Sequence, residues 1–324
     1  MKAIILDAVQ TLRLADVPKP DPREGEAIVR VEATGICGAD RLAYWGKDDR
    51  RPAPLVLGHE AAGVVTGGRF AGCRVVVNPL IYCGECEFCQ SGQTNLCLYR
   101  ENISIPPRQG AFAEYVQVPE RNLIMVPQDV SIQQASLIEP LACGWHAARL
   151  CRRAFPRGRT ALVIGGGAIG LAASLSLKAQ GVLDTVLAVS NPTRRAYLRD
   201  VCGQDMAPQD LGGAQYDIII DAVGSVASRQ MASAHVRPGG TIGHIGLDDI
   251  TGGFDMRRLT LHEVTIIGTY TYSAMDFEQT ADAAFDGRLG RLDWFEVRPL
   301  KDAPQAFIDL EAGQVAPPRI ILTP

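Results

Sequence analysis

Short runs in which apolar and polar residues alternate fill the first part of the chain. KAIIL, AIVRVEA, AAGVVTGG, CRVVVNPL and AEYVQVP each read as a strand bounded by turn residues, because successive side chains of a strand point to opposite faces. Residues 1 to about 140 show little helical period, so they predict a mostly-β body. From about residue 160 the pattern changes: the apolar runs ALVIG, TVLAVS, YDIIIDAVG, TIGHIGL and VTIIGTY are interleaved with the helical stretches AIGLAASLSLKAQG and RRAYLRDVCG. Strand, helix, strand in that order predicts a doubly wound parallel sheet, and hence an α/β chain. The C-terminal stretch, with a helix over DFEQTADAAFDGRLG and a closing strand in RIILTP, is expected to return to the first body.

The chain is 324 residues long and 47% apolar, enough for two domains with well-filled cores. A net charge of −4 and an isoelectric point near 5.8 argue against a nucleic-acid surface, which needs a basic face to neutralise phosphates. The start, MKAIILDAVQ, is too short in its apolar run and too soon acidic for a secretory signal, and no apolar stretch elsewhere reaches membrane-spanning length. The expected compartment is the cytosol, where reducing conditions favour metal-binding cysteines over disulfides.

That expectation bears on four crowded cysteines, Cys83, Cys86, Cys89 and Cys97, in YCGECEFCQSGQTNLC. Thiolates at this spacing can close a tetrahedral site around one zinc, and the metal then supplies folding energy to a loop without its own core. Of the other cysteines, Cys73, Cys143, Cys151 and Cys202 are expected to be inert core residues. Cys37, in TGICGAD, belongs to a different group, with His59 and Glu60 in LGHEAAG and Glu139 in SLIEPLACGWHA. A catalytic zinc takes three protein ligands and keeps a fourth position open, and Cys37, His59 and Glu139 can form such a set, with Asp40 orienting the His59 ring. The His59-Glu60 pair is not H-E-x-x-H, since Gly63 stands where the second histidine belongs, which argues against a zinc protease.

The strand ending at Ile164 runs into Gly165, Gly166, Gly167, Ala168, Ile169 and Gly170, a G-x-G-x-x-G turn opening a helix. Gly165 permits the tight turn, Gly167 lets a pyrophosphate approach the backbone, and Gly170 lets the helix pack on the strand. The helix N-terminus supplies free N–H groups and a positive dipole end for the phosphates. Where an acidic side chain would grip the ribose of NAD, the chain reads AVSNPTRR. Ser190 and Asn191 offer neutral groups, and Arg194 and Arg195 follow within reach of a 2′-phosphate, so NADP is favoured. NAD stays open, with both arginines solvating a helix start and Asn191 holding the ribose.

In family order, GICGAD, GHEAAG, the four-cysteine lobe, GAFAEYVQVP, IEPLACGWHA, VIGGGAIG and RIILTP resemble the zinc-containing medium-chain dehydrogenases, the alcohol and sorbitol dehydrogenase superfamily, over essentially the whole chain. The resemblance implies a GroES-like catalytic domain over 1–143 and 273–324, with a structural zinc lobe at 83–97, and a Rossmann coenzyme domain over 144–272. It implies hydride transfer between a secondary alcohol and NAD(P), with two zinc ions per chain, a small-molecule alcohol or carbonyl substrate and a homodimer or homotetramer. Glu139 in EPL marks the polyol branch rather than the branch with a third cysteine. By the same resemblance Glu60 approaches or exchanges at the metal, and Arg319 reaches the cofactor pyrophosphate. The segment 268–271, with Thr269 and Thr271, holds the nicotinamide amide, while Ile245, Gly246 and Leu247, following His244, pass beside the ring.

Three departures qualify the resemblance. Ala39 replaces the serine that relays the alcohol proton, and Arg41 and Leu42 occupy the stretch where a histidine continues that relay, which leaves Tyr44, water or Glu60 to carry it. Thr271 and Tyr272 stand in place of the Arg-Tyr of polyol enzymes, and the loop from Val65 to Arg69 is short. Tyr44, Trp45, Tyr270 and Tyr272 are the aromatic candidates for lining a substrate pocket. Two rival readings share the scaffold: a zinc-free quinone reductase, which needs neither Cys37 with His59 nor the cysteine lobe, and a non-enzymatic dinucleotide-binding protein.

Overall fold

A computed structural model describes residues 1–21 and 23–324, and the chain divides into two compact units. The first comprises Met1–Glu139, Ser273–Ala281 and Phe295–Pro324; the second comprises Pro140–Tyr272 and Asp282–Trp294.

The first unit is built on the long strand Glu26–Gly35, which is paired along both edges. One edge takes Glu60–Val65 in antiparallel register, Val29 opposite Val65 and Gly35 opposite Glu60. The other edge takes Tyr115–Pro119 along its first half and the closing strand Arg319–Thr323 at its end, where Ile321 faces Gly35. The strands predicted from alternation are present, and Val29, Val31, Val65, Val75, Val77, Val116 and Val118 form one apolar cluster. A second cluster gathers Ile4, Leu6, Leu57, Phe112, Phe307 and Leu322. β-branched side chains suit such a pleated, buried surface. Elements that the alternating pattern does not show include the helices Gly38–Tyr44 and Ala303–Glu311, and the strand Phe295–Pro299, which runs parallel to Arg319–Thr323.

In the second unit the five strands Asp184–Ala188, Thr160–Ile164, Tyr216–Asp221, Val236–His244 and Thr265–Gly268 lie side by side in that order, all parallel. Thr160–Ile164 and Tyr216–Asp221 are buried along nearly their whole length, as strands covered on both faces must be. The helix Ala168–Ala179 packs on them, and Gly144 lets the helix Ile138–Ala154 cross it closely: a β-carbon at Gly144 would lie 2.4 Å from the Ala172 backbone. Among the described residues no helix is long and apolar enough to cross a membrane.

Candidate metal and cofactor sites

The four lobe cysteines come together without forming disulfides. Neighbouring sulfurs are 3.5 Å apart for Cys97 and Cys83, 3.6 Å for Cys86 and Cys89, and 3.8 Å for Cys83 and Cys89. A zinc tetrahedron with bonds of about 2.3 Å has edges of about 3.8 Å, whereas a disulfide bond is about 2.05 Å. Backbone N–H groups of Glu85 and Cys86 point at the Cys83 sulfur, each at 3.4 Å. N–H groups of Cys89 and Leu98 pull the Cys86 thiol down to about 6, while burial and the adjacent thiols push Cys89 up to about 12. Backbone donors aimed at sulfur, and four thiols crowded at tetrahedral spacing, are what a cation-binding cage requires. The lobe is tied to the helix Ala274–Phe285 by the Ala274 N–H, which donates to Thr94 Oγ1 at 2.7 Å.

The second cluster is assembled where Glu26–Gly35 ends. Cys37 is the residue before the helix Gly38–Tyr44, and Asp40 in its first turn accepts from the Cys37 N–H at 2.9 Å, half of a capping box. The other Asp40 oxygen accepts from the Gly58 N–H at 3.1 Å and lies 3.4 Å from His59 Nδ1. That last contact lacks hydrogen-bond geometry, so it is an ion-pair approach. One fully buried carboxylate thus fastens the segments carrying Cys37 and His59, and with Nδ1 facing Asp40, Nε2 is the nitrogen left for a metal.

Ligand atoms of Cys37, His59 and Glu60 lie within 4.8 Å of one another. Glu139, the expected third ligand, is buried in the first turn of the helix Ile138–Ala154 and stands outside this group of three. Its charge still reaches the site: burial above all, with Glu139 and Asp40 adding to it against Arg319 and His59, pushes Glu60 up to about 7. Burial works against a charged His59, but Asp40 and then Cys37 outweigh it and raise the imidazole well above its usual value. Neither Glu60 oxygen nor His59 Nδ1 has a hydrogen-bond partner, although all three are shielded from solvent. Buried polar atoms left this way are costly, and a divalent cation among one thiolate, one imidazole and carboxylates would compensate the Glu60 oxygens.

Arg319, only 4% exposed, places Nη2 3.1 Å from Glu60 Oε1, and its Nη1 donates to the Ile36 carbonyl. The guanidinium expected at a pyrophosphate thus also faces Glu60 and the Ile36 carbonyl. The sequence reading missed this pairing and the Gly58 contact to Asp40; the register of Glu60 opposite Gly35 is the signal that reveals the first.

At the glycine turn, Gly165 has φ +111°, a left-handed conformation suited to glycine. A β-carbon on Gly170 would lie 2.0 Å from the Gly165 carbonyl oxygen, while one on Gly167, the N-cap of the helix Ala168–Ala179, would meet nothing within 4 Å. Ala168 and Ile169 form the first turn of that helix. Downstream, Ser190 is exposed and Asn191 caps the helix Pro192–Asp200, accepting from the Arg194 N–H at 2.9 Å. Arg194 donates to the Gly166 carbonyl at 3.1 Å, which lays it against the turn, and Arg195 donates to the Ala207 carbonyl at 2.6 Å.

After the strand Val236–His244, Gly246 crosses the Val223–Gly224 backbone so closely that a β-carbon would lie 2.0 Å from Val223. Ile245 is half-buried and Leu247 is 71% exposed. Thr269 donates its N–H to the His244 carbonyl at 3.0 Å, and Thr271 has φ +45° with a buried hydroxyl lacking a partner. Among the aromatic candidates, Tyr272 is 1% exposed, Tyr44 packs on Phe307 at 5.2 Å, and Trp45 donates to Glu311 at 3.2 Å. Of the four cysteines read as core, Cys151 is fully buried, whereas Cys73, Cys143 and Cys202 are only half-buried.

Two family profiles match the chain: the alcohol dehydrogenase GroES-like domain over residues 23–128 and the zinc-binding dehydrogenase domain over 168–286. An L-galactonate-5-dehydrogenase of Escherichia coli (strain K12) is 33% identical over 290 residues, 83% of each chain. A sorbitol dehydrogenase of Bacillus subtilis (strain 168) is 30% identical over 297 residues, covering 84% of this chain and 83% of its own. The chain belongs to the zinc-containing medium-chain dehydrogenase superfamily. Its fold is that of the superfamily, a GroES-like body with a Rossmann parallel sheet, and the solved short chain alcohol dehydrogenase of E. coli CFT073 in complex with NADH superposes with a TM-score of 0.89 at 26% identity, covering 100% of this chain and 99% of that one. As a member of this zinc-dependent, NAD(P)-linked family the chain is an oxidoreductase, and the non-enzymatic and zinc-free readings fall away.

Proposed function

We propose that this dehydrogenase oxidises a secondary alcohol of a polyol or sugar acid in the cytoplasm, passing hydride to NADP, and reduces the matching ketone in reverse. The observation that carries the reading is the convergence of Cys37, His59 and Glu60 within 4.8 Å, with both Glu60 oxygens buried and without a hydrogen bond. We assign Cys37, His59 and Glu139 as the ligands of a catalytic zinc, because the Glu60 charge is largely offset by Arg319 at 3.1 Å. Cys83, Cys86, Cys89 and Cys97 would hold a second, structural zinc with four thiolates. A zinc held by Cys37, His59 and Glu139 would supply Lewis acidity to lower the pKa of an alcohol, and a bound nicotinamide would supply the hydride acceptor.

The chain's own residues do the rest. Asp40 stands 3.4 Å from His59 Nδ1, which turns Nε2 toward the site, and ties Cys37 to the same anchor. Glu60, a buried carboxylate within 4.8 Å of the Cys37 and His59 ligand atoms, is a group able to accept and return a proton, which suits it to the relay that Ala39 and Leu42 cannot provide. Gly167 and the helix start behind it bind the pyrophosphate, and Arg194, lying against the turn, meets the 2′-phosphate of NADP. NAD is the second reading, favoured by the commitment of Arg195 to the Ala207 carbonyl and by the NADH in the E. coli CFT073 neighbour. Following absorbance of the reduced nicotinamide across polyols, sugar acids, sugars and simple secondary alcohols, with each cofactor in turn, tests the proposal. Turnover confined to simple alcohols, or none at all, overturns the substrate class.

A further inference from the structure

Glu60 occupies the space where a neighbouring residue has no side chain. Gly35 ends the strand Glu26–Gly35 directly opposite Glu60 in the sheet register, and two residues before Cys37. A β-carbon built on Gly35 would lie 2.0 Å from Glu60 Oε2, 3.2 Å from its Cδ and 3.3 Å from its Cβ. Contacts below about 3 Å between such atoms lie far inside close packing, so the carboxylate fills the volume that any other residue at 35 would need.

The backbone itself does not call for glycine here. Gly35 is not among the residues with positive φ, and it is held as ordinary strand between Glu60 on one side and Ile321 on the other. The other walls of the slot are fixed. Arg319 lies two residues before Ile321 on the same strand, places Nη2 3.1 Å from Glu60 Oε1, and donates to the carbonyl of Ile36, between Gly35 and Cys37. The Ile36 N–H in turn donates to the Ile320 carbonyl at 3.0 Å. Gly35, Arg319 and Glu60 therefore form one unit that sets the carboxylate within 4.8 Å of the Cys37 and His59 ligand atoms.

We propose that Gly35 is a positioning residue for the metal site: its missing side chain makes the slot that parks the Glu60 carboxylate between Arg319 and the Cys37–His59 pair. This rests on the reading of Cys37 and His59 as zinc ligands. Since the obstructing group is the end of a flexible side chain, Gly35→Ala displaces Glu60 rather than the sheet.

The test uses the zinc-loaded protein and the variants Gly35→Ala, Glu60→Ala and the double. A crystal structure of Gly35→Ala is expected to show the Glu60 carboxylate beyond about 4 Å from Arg319, outside ion-pair range. Chelator competition for the zinc lost in Cys37→Ala, together with the visible spectrum after cobalt replacement, is expected to shift in Gly35→Ala by at least about twofold in affinity, the smallest coupling typical of residues in contact. The same substitution in the Glu60→Ala background is expected to leave affinity and spectrum where Glu60→Ala put them. A Glu60 that stays in place, or an equal shift in both backgrounds, overturns the proposal. Should Gly35→Ala alone fail to fold, folding of the double variant reads the same clearance, and failure of both overturns it. A zinc count that Cys37→Ala leaves unchanged instead overturns the metal reading, and is told apart from failure of the Gly35 argument alone, in which zinc is present but Glu60 does not move.

Discussion

Replacing Asp40 by Asn is the most exacting perturbation of the metal cluster, because it keeps the shape and removes one acceptor. In the native chain one oxygen accepts from the Cys37 N–H at 2.9 Å, and the other accepts from the Gly58 N–H at 3.1 Å and faces His59 Nδ1 at 3.4 Å. An asparagine has a single acceptor oxygen, so its amide NH₂ must confront either the Cys37 N–H or the Gly58 N–H with the His59 ring. One buried donor is left unsatisfied either way, a loss of about 1–3 kcal/mol in folding stability. The metal effect is separate: a lost carboxylate behind a ligating histidine typically weakens metal binding about 10–100-fold, equivalent to about 1.4–2.7 kcal/mol. Competition against a chromophoric chelator resolves the two zinc classes, and the four-cysteine ion serves as an internal control that Asp40→Asn is expected to leave alone. A variant that unfolds more easily yet binds both ions as before would reduce Asp40 to a structural cap and refute its role in orienting His59.

Four further outcomes follow from the same geometry. Metal analysis of the purified chain is expected to give about two zinc, with Cys37→Ala removing one and Cys86→Ser the other; loss of both from either change would show that the sites are not independent. Arg194→Ala with Arg195→Ala is expected to weaken NADPH about tenfold or more relative to NADH by fluorescence titration, the worth of a charge-assisted contact to phosphate, and tighter NADH binding by the unsubstituted chain refutes the NADP assignment. Gly170→Ala puts a β-carbon 2.0 Å from a backbone oxygen that cannot rotate away, so thermal unfolding is expected to show a loss of about 1–3 kcal/mol together with weaker binding of either cofactor; normal binding would sink the tight-turn argument. Asp217 accepts from the Arg159 N–H at 2.8 Å, the Thr160 N–H at 3.1 Å and Arg237 at 2.6 Å, and although burial alone would raise its pKa these partners hold it below 3.8. A depressed carboxylate stabilises the fold above its unfolded value and loses that contribution as pH falls through the folded one, so Asp217→Asn is expected to flatten the stability profile only below about pH 4.

What the sequence displays and what it conceals divide along a physical line. Both sheets were legible because strands buried on one face alternate and strands buried on two are continuously apolar, and Val29, Val31, Ile218 and Ile219 obey those rules. Cys83, Cys86, Cys89 and Cys97 were legible because their ligands are local, and the Gly165 turn because its demands are made on the backbone over six residues. The Cys37–His59–Glu60 cluster is different: Cys37, Glu60 and Arg319 lie in three separate stretches that only sheet pairing brings together. Motif spacing could name Cys37, His59 and Glu60, but it could not show that Arg319 turns to Glu60 instead of standing free, since that depends on which strand closes the sheet.

The same line explains why Gly35 escapes a residue-by-residue reading. Glycines betray themselves in sequence when they occupy turns, as Gly165 does with φ +111°, because the backbone requires them. Gly35 sits in an extended strand where valine or threonine would be the ordinary choice, and its reason lies across the ladder in the carboxylate 2.0 Å from its absent β-carbon. A strand glycine opposite a buried acid is thus a signal in its own right once register is known. The sheet that builds the core also meters how near the Glu60 carboxylate comes to Cys37 and His59, so substitutions at 35 are expected to alter the proposed metal site without touching any ligand, while those at Val31, in the middle of the same strand, alter stability alone.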